Sequence, residues 1–383
     1  MKLVIFLLFS LTQATILEDL GIKSKPSVQQ QQDPIDKTLK FNENHEFVIL
    51  QLTDLHYGAS DQINAFSTSI QETLIQTVRP DLIVVTGDAV SGYDWNGKSK
   101  DYFKSRWQQF TQPYLKFQTK YAYIFGNHEA EADFNAAQIG ELDKTHPYSV
   151  FAGNESGDTE GYSNYVLNIG SAFEELKDKP SFLLWMFDTR KTGCDGYDKT
   201  YGCINKAQLE WYRKQSESLQ YEDGSKVQGL GFFHIPIPEF MNVWNYHLTY
   251  GTKAEKVCCP TVNSGAFDQF RKTGNIKGLF CGHDHVNDYG GTYHGIELVY
   301  GRKSGVGSYG PNGLRGGRVI KLKESMEKDG KAPTVSFESY IVLEDRTIVK
   351  NEEPHWQGYE YFQTKCAATI LQVLGLFLML NLF

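Results

Sequence analysis

Short apolar runs alternate with segments of helical periodicity from residue 47 onward, and this alternation predicts an α/β domain. Six apolar runs are predicted as buried strands, at residues 47–52, 81–85, 120–125, 181–187, 229–233 and 276–281. Five intervening segments carry apolar residues on one helical face, at residues 61–77, 101–117, 133–142, 205–219 and 265–273. Continuous apolar runs followed by amphipathic helices are typical of strands that are covered on both faces.

The pattern changes after residue 284. Glycines there separate shorter stretches rich in β-forming residues, at 295–300, 318–322 and 334–343. We expect these stretches to form hairpins of a second sheet.

Five of the six predicted strands are followed directly by side chains that bind metals or transfer protons. These are Asp54-Leu55-His56, Gly87-Asp88, Gly126-Asn127-His128-Glu129, His234 and Gly282-His283-Asp284-His285. Functional groups gather at the carboxyl ends of strands in open α/β sheets, so we expect the motifs to converge. Their three oxygen ligands and four imidazole ligands suffice for two metal ions that share one carboxylate, with one histidine left over. Two cations about 3.5 to 4 Å apart suit phosphate-ester hydrolysis.

The order of these motifs resembles that of the calcineurin-like metallophosphoesterase family. The residues in and around the motifs are most similar to its compact purple acid phosphatase-like branch. The stretches that carry the resemblance to this branch are 87–88 with 92–94, 233–240, 262–265 and 282–288. The resemblance implies two packed mixed β-sheets flanked by helices, an αββα sandwich.

The resemblance also implies the ligands. One metal would be bound by Asp54, His56, Asp88 and His285, and the other by Asp88, Asn127, His234 and His283. A carboxylate can bridge two cations, and carboxylate, amide and neutral imidazole ligands suit iron, zinc, manganese or a mixed pair. His128 remains unligated.

The implied reaction is a phosphomonoesterase reaction, in which a metal-activated hydroxide attacks phosphorus and His128 assists the leaving group. The same ligands would serve a phosphodiesterase acting on lipid head groups or nucleotides, or a phosphoprotein phosphatase. A non-catalytic cell-surface binding protein with structural metals is the alternative that is not an enzyme. Purple enzymes of this branch place a tyrosine three residues after the bridging aspartate and have no imidazole at the place of His56. Ser91 occupies the tyrosine position, so we expect no tyrosinate-ligated iron, and Tyr93 has the wrong spacing to replace it.

Several charged residues beside the motifs have open roles. Glu129, Asp284 and Asp94 could orient a neighbouring imidazole by a hydrogen bond, or they could be exposed to solvent. Arg302 and Lys303 could hold a substrate phosphate, but we expect them to be surface charges.

The chain of 383 residues is expected to contain one large catalytic domain at 46–345. Residues 1–14 resemble a secretory signal peptide and 15–45 a flexible lead-in. A polar and aromatic segment at 346–366 precedes an uncharged apolar tail at 367–383. We expect this tail to attach the protein to a membrane, as an anchor signal or a membrane helix, with a terminal helix packed on the domain as the alternative.

Composition and cysteine usage bear on the binding partners and the cellular compartment of the protein. A net charge of −8 disfavours nucleic acid as a partner, since such surfaces need many Lys and Arg residues. Cys194 and Cys203 bracket a polar loop and are predicted to form a disulfide, and Asn154 begins a glycosylation sequon. Together with the signal peptide, these features predict the secretory pathway and an extracellular or cell-surface location.

Overall fold

The computed structural model describes residues 35–58, 60–157, 161–326 and 332–357. The expected signal peptide and the apolar tail lie outside the described residues. In chain order the strands are β1 (Leu39–Lys40), β2 (Glu46–Leu52), β3 (Leu82–Thr86), β4 (Tyr121–Ile124), β5 (Tyr165–Gly170), β6 (Pro180–Met186), β7 (Thr192–Cys194), β8 (Tyr197–Tyr201), β9 (Gly229–Phe232), β10 (Thr249–Tyr250), β11 (Ile276–Cys281), β12 (Gly290–Tyr293), β13 (Ile296–Tyr300), β14 (Gly316–Met326), β15 (Pro333–Leu343) and β16 (Ile348–Lys350). The helices are α1 (Asp61–Val78), α2 (Tyr102–Lys116), α3 (Ala136–Lys144), α4 (Lys206–Ser218), α5 (Glu239–Tyr246) and α6 (Ala266–Thr273).

Local sequence determines where several helices begin. Ser60 accepts a hydrogen bond from the backbone N–H of Ile63 and caps α1. Asn135 and Asn205 form reciprocal capping boxes with the glutamines three residues later. Helix α3 therefore starts after Asn135 rather than at residue 133, and α4 starts after Asn205.

Most strands belong to two mixed sheets. One has six strands in the order β16-β15-β14-β2-β3-β4, in which β2, β3 and β4 are parallel. The other has eight strands in the order β1-β5-β6-β9-β11-β13-β12-β10, with β6, β9, β11 and β13 parallel. These sheets and the helices that flank them confirm the predicted α/β sandwich.

The assignment of the late strands to a second sheet was wrong. The β14–β15 hairpin pairs with β2, with Val319 opposite Leu50, and so extends the sheet of the first motifs. Strands β12 and β13 instead join β11. The predicted buried strands are themselves divided, with β2, β3 and β4 in one sheet and β6, β9 and β11 in the other.

The core lies between the two sheets and on the outer face of the larger one. Strand β6 contributes side chains to both layers of the core, because successive side chains along a strand point to opposite faces of the sheet. Leu184 and Met186 pack in the cluster that includes Leu50 and Val84, whereas Leu183 and Trp185 pack in the cluster with residues of α4 and α6.

Several features concern the predicted boundaries. Strand β1 lies within the stretch expected as a lead-in, and β16 lies within the predicted polar and aromatic segment.

A disulfide joins Cys194 to Cys203, with a Cα–Cα distance of 5.4 Å, and closes the β7–β8 hairpin. Asn154 is exposed. In the described ranges, the helices are too short or too polar to span a bilayer.

Candidate metal centre

The motif residues converge at one edge of the two sheets. Asp54, Asp88 and Asn127 follow β2, β3 and β4, whereas His234 and His283 follow β9 and β11 of the other sheet. Among the described residues, side chains of the motifs form two groups of candidate ligand atoms, each with its atoms within 4.8 Å of one another, and both groups contain Asp88. The groups are Asp54, His56, Asp88 and His285, and Asp88, His234 and His283.

The backbone at these positions is strained. Four of the candidate ligands have positive φ, with values of 53° at Asp54, 51° at His56, 51° at Asp88 and 74° at His283. Residues with side chains rarely adopt this region, and such strain is concentrated at functional sites. Hydrogen bonds hold it in place, for example from the N–H of His56 to the carbonyl of Asp88 at 2.9 Å.

The motif glycines let these side chains approach the backbone. A Cβ at Gly126 would overlap the Asp88 carboxylate, and a Cβ at Gly87, where φ is 87°, would overlap the His234 ring. Gly282 likewise faces Thr53, whose hydroxyl donates to Asp54. The glycines that precede the ligands are therefore needed for close packing.

In the first group, the ring Nε2 of His285 lies 3.1 Å from Nε2 of His56 and 3.3 Å from Oδ1 of Asp54. The Nδ1–H of His285 donates to the carbonyl of Tyr309 at 2.9 Å, which leaves Nε2 free to bind a cation. Asp54 accepts hydrogen bonds through Oδ2, from Thr53 and from the N–H of His283. Its buried Oδ1 has no hydrogen-bond partner among the described residues.

In the second group, Nε2 of His234 lies 3.1 Å from both Oδ2 of Asp88 and Oδ1 of Asn127. Nδ1 of His234 donates to the carbonyl of Thr86 at 2.8 Å, so Nε2 faces two acceptors. This arrangement needs a proton or a cation at Nε2. Burial lowers the pKa of His234, but the charge of Asp88 outweighs it and raises the pKa to about 10.

These donors fit two metal ions. Buried polar atoms normally have hydrogen bonds, yet Oδ1 of Asp54 and Nε2 of His283 have none within the part of the chain that the structure describes. Both belong to the candidate ligand groups, and Nε2 of His285 also points into the centre. Carboxylate oxygens, imidazoles and an amide oxygen together are the ligands of zinc, iron or manganese sites.

His128 lies beside the two groups and outside them. Its backbone N–H donates to Oδ1 of Asp88 at 2.9 Å, and its ring is 5.6 Å from that of His56. Nδ1 lies 2.5 Å from Oε2 of Glu131, and the side chain is 29% exposed. Glu131 also pairs with Lys191. The sequence motifs did not indicate Glu131, although its position three residues after His128 is a spacing at which two side chains can meet.

Glu129 and Asp284 are buried, and the alternative of solvent exposure was wrong. Glu129 accepts from the N–H groups of Ala89 at 2.6 Å and Gly126 at 2.7 Å, so it fixes the backbone beside the ligands. Asp284 accepts from the Tyr300 hydroxyl and the N–H of Cys258. Burial raises the pKa of Glu129 to about 8 and that of Asp284 to about 7.

The other flanking charges lie at different depths. Asp94 is exposed on the 3₁₀ turn Gly92–Asp94, and partial burial raises its pKa. Arg302 pairs with Asp288 at 2.6 Å. Lys303 is 1% exposed, and its ammonium donates to the carbonyl of Asp54 at 2.8 Å. The expectation of a surface charge at Lys303 was wrong, because the strand bridge to Thr53 places it beneath the centre.

Comparison with known proteins agrees with this geometry. The sequence pattern of the calcineurin-like phosphoesterase domain matches residues 47–287. The chain belongs to the calcineurin-like phosphoesterase family. This confirms the resemblance seen in the motifs and the fold that it implied.

Relatives in this calcineurin-like phosphoesterase family include a protein of Arabidopsis thaliana named probable inactive purple acid phosphatase 29. It is 31% identical over 370 residues, which cover 90% of this chain and 92% of that protein. Phosphatase DCR2 of Saccharomyces cerevisiae is 27% identical over 299 residues, covering 70% of this chain and 50% of its own. A dimetal phosphatase from Danio rerio aligns in structure over 76% of this chain and 98% of its own, with 12% identity and a TM-score of 0.48.

Proposed function

We propose that this protein is a phosphomonoesterase that depends on two metal ions. The observation that carries the proposal is the pair of donor groups that share Asp88, with His128 beside them and unligated. One ion would be held by Asp54, His56, Asp88 and His285, and the other by Asp88, Asn127, His234 and His283. Two cations bound there would activate water near neutral pH and neutralise charge on the phosphoryl oxygens.

His128 would assist the leaving group. Nδ1 of His128 lies 2.5 Å from Oε2 of Glu131, a contact that orients the ring and leaves Nε2 for the substrate. A proton donated from Nε2 would go to the departing oxygen, and general acid catalysis of this kind contributes about 10²- to 10⁴-fold. The backbone bond from His128 to Asp88 holds the ring beside the shared carboxylate.

The word inactive in the name of the plant relative concerns that protein. In this chain every residue type required for two metals and a leaving-group acid is present, and this supports activity. A structural metal site fills its coordination and has no accessible reacting group. The partial exposure of His128 supports an accessible centre instead.

The test uses the purified full-length protein, stripped with a chelator and reloaded with zinc, manganese or iron. We expect about two metal ions per chain, and hydrolysis of an aryl phosphate monoester that the chelator abolishes. Faster hydrolysis of a bis-aryl diester would replace the monoesterase with a phosphodiesterase. Two bound metals with no turnover of either ester would contradict the proposal and favour a binding protein with structural metals. His128→Ala should keep its metals and lose most turnover.

We also propose that the protein enters the secretory pathway and is attached to a membrane through residues 367–383. The Cys194–Cys203 disulfide supports an oxidising compartment, and the exposed Asn154 supports glycosylation. Treatment with a glycosidase should reduce the mass of the protein from eukaryotic cells, and Asn154→Gln should remove that shift. Fractionation should find the full chain with membranes and a chain truncated after residue 357 in the medium.

A further inference from the structure

Three exposed tyrosines surround the candidate metal centre. The described part of the chain has six exposed tyrosines, and three of them contact imidazoles of the centre. The Tyr93 ring lies 4.8 Å from that of His128, and the Tyr309 ring lies 4.1 Å from that of His285. The third contact joins Tyr201 to His283, at 4.9 Å. We call Tyr93, Tyr201 and Tyr309 the tyrosine collar.

The Tyr309 ring has a fixed orientation. Its hydroxyl donates to Oε2 of Glu255 at 3.0 Å, and Oε1 of Glu255 accepts from the N–H of Val286 at 2.9 Å. Tyr309 is stacked on His285 with an interplanar angle of 25°, and 56% of the residue is exposed. One face of the ring is therefore covered by a candidate ligand, while much of the rest is available to a bound molecule.

The Tyr93 ring is fixed on the side of the proposed acid. It lies on the 3₁₀ turn Gly92–Asp94, and the N–H of Gly92 donates to the carbonyl of His128 at 3.1 Å. The ring meets the His128 ring at 73°, and 46% of the residue is exposed. A group that receives a proton from His128 would therefore leave beside Tyr93.

We infer that the tyrosine collar binds a planar aromatic ring on the leaving-group side of the substrate. The inference rests on the proposed function, which places the phosphate at the metals and the leaving group near His128. Aromatic rings attract one another through offset stacking or edge-to-face contacts, beyond the burial of apolar area. Phosphotyrosine carries such a ring directly on the ester oxygen, and a nucleoside monophosphate carries it one sugar further away.

The test compares two phosphonates that the enzyme cannot hydrolyse, benzylphosphonate and cyclohexylmethylphosphonate. Both carry a six-membered ring on the same linker, but only the first ring is planar. We expect the metal-loaded full-length protein to bind benzylphosphonate about three- to tenfold more tightly, as measured by calorimetry. A site that recognises only apolar bulk would favour the saturated ring, which is the more apolar of the two. The measured ratio is the dissociation constant of cyclohexylmethylphosphonate divided by that of benzylphosphonate. A ratio at or below one would overturn the inference.

Substitutions in the collar test whether its tyrosines cause the preference for the planar ring. Tyr93→Leu and Tyr309→Leu should each reduce the ratio of the two dissociation constants, whereas Tyr93→Phe and Tyr309→Phe should retain it. Tyr197→Leu is the matched control, because Tyr197 is 60% exposed and lies outside the collar. The inference is wrong if the double variant Tyr93→Leu/Tyr309→Leu keeps the wild-type ratio.

Turnover is measured separately with benzyl phosphate, so the inference and the proposed function can fail independently. Tighter binding of benzylphosphonate without hydrolysis of benzyl phosphate would support ring binding by the collar and contradict the proposed phosphatase activity. Hydrolysis of benzyl phosphate without tighter binding of benzylphosphonate would contradict only the inference that the collar binds an aromatic ring. Phosphotyrosine and adenosine 5′-monophosphate then distinguish the source of the ring, and a lower KM for either than for glycerol 2-phosphate supports ring binding by the collar. If glycerol 2-phosphate has the lowest KM of the three, the inference is wrong.

Discussion

Glu131 lies against the ring of His128, with Oε2 2.5 Å from Nδ1, and so provides a carboxylate partner for the only motif imidazole outside the ligand groups. The pair is formed by the 3₁₀ turn Glu129–Glu131, which begins at the last residue of the motif. Metal-binding histidines commonly have such a partner that fixes their tautomer. Here the partner belongs to the proposed acid, so its effect should appear in catalysis rather than in metal binding.

Glu131→Gln keeps a hydrogen-bonding group and removes the negative charge beside the ring of His128. We expect kcat to fall about tenfold or more, with KM and metal content unchanged. The loss should be larger for phenyl phosphate than for 2,4-dinitrophenyl phosphate, because a poor leaving group needs the proton more. Lys191→Met, which removes only the exposed partner of Glu131, is the control and should have little effect. Equal losses on both esters would assign Glu131 a merely structural role.

Asp88→Asn should lower metal occupancy as well as turnover. An amide is neutral and a poor bridge between two cations, and it would leave His234 without the charge that it faces at 3.1 Å. Elemental analysis should find clearly fewer than two metals per chain. Asp284→Asn is a matched control, since Asp284 is buried nearby but its hydrogen bonds go to Tyr300 and Cys258. Full occupancy in Asp88→Asn would exclude the bridging role.

Gly126→Ala tests the close approach of the backbone to the ligands. The added Cβ would overlap the Asp88 carboxylate, and the backbone of Asp88 offers no room on that side. We expect a loss of about 1–3 kcal/mol in the free energy of unfolding, together with weaker metal binding. Gly313→Ala is the control, because the nearest atom to its Cβ would be 3.8 Å away. Equal stability of the two variants, measured by urea unfolding, would show that Gly126 is not required.

His146 should make the fold less stable in acid. Burial, followed by the charge of Lys37, lowers the pKa of His146 to about 4. The unfolded chain takes up a proton near pH 6.5 and the folded chain does not, so stability falls as the pH drops from about 6.5 towards 4.

The corresponding variant is His146→Gln, in which the glutamine can still accept from the N–H of Tyr148. Between pH 7.5 and pH 5 it should lose about 1–2 kcal/mol less stability than the wild type. The measurement is urea unfolding of both proteins in chelator, so that metal binding does not contribute. Parallel losses in the two proteins would mean that His146 is protonated in the folded state.

Sequence pattern predicted the local elements well, because apolar runs and capping residues act over short distances. Strand β11 has its predicted bounds, and the Asn205 cap places α4 within a residue of the prediction at both ends. The same motifs predicted which residues meet at the strand ends. Helix α5 was missed because it directly follows a proline-rich run, and Pro238 is the residue that precedes its first turn.

Long-range relationships could not be predicted in the same way. Pairing of β14 with β2 joins residues more than 250 positions apart, and nothing in either strand specifies the other. Lys303 reads as a surface lysine because lysine is rarely buried. Its burial depends on the bridge to Thr53, which is a property of the folded chain. Glu131 belongs to no motif, so only the turn geometry shows its partner.

The central claim is that two metal ions share Asp88, and crystals soaked in zinc test it most directly. Anomalous diffraction should show two peaks about 3.5 to 4 Å apart, with the Asp88 carboxylate between them and no metal bound to His128. A single peak, or two peaks of which one is not in contact with Asp88, would contradict the account.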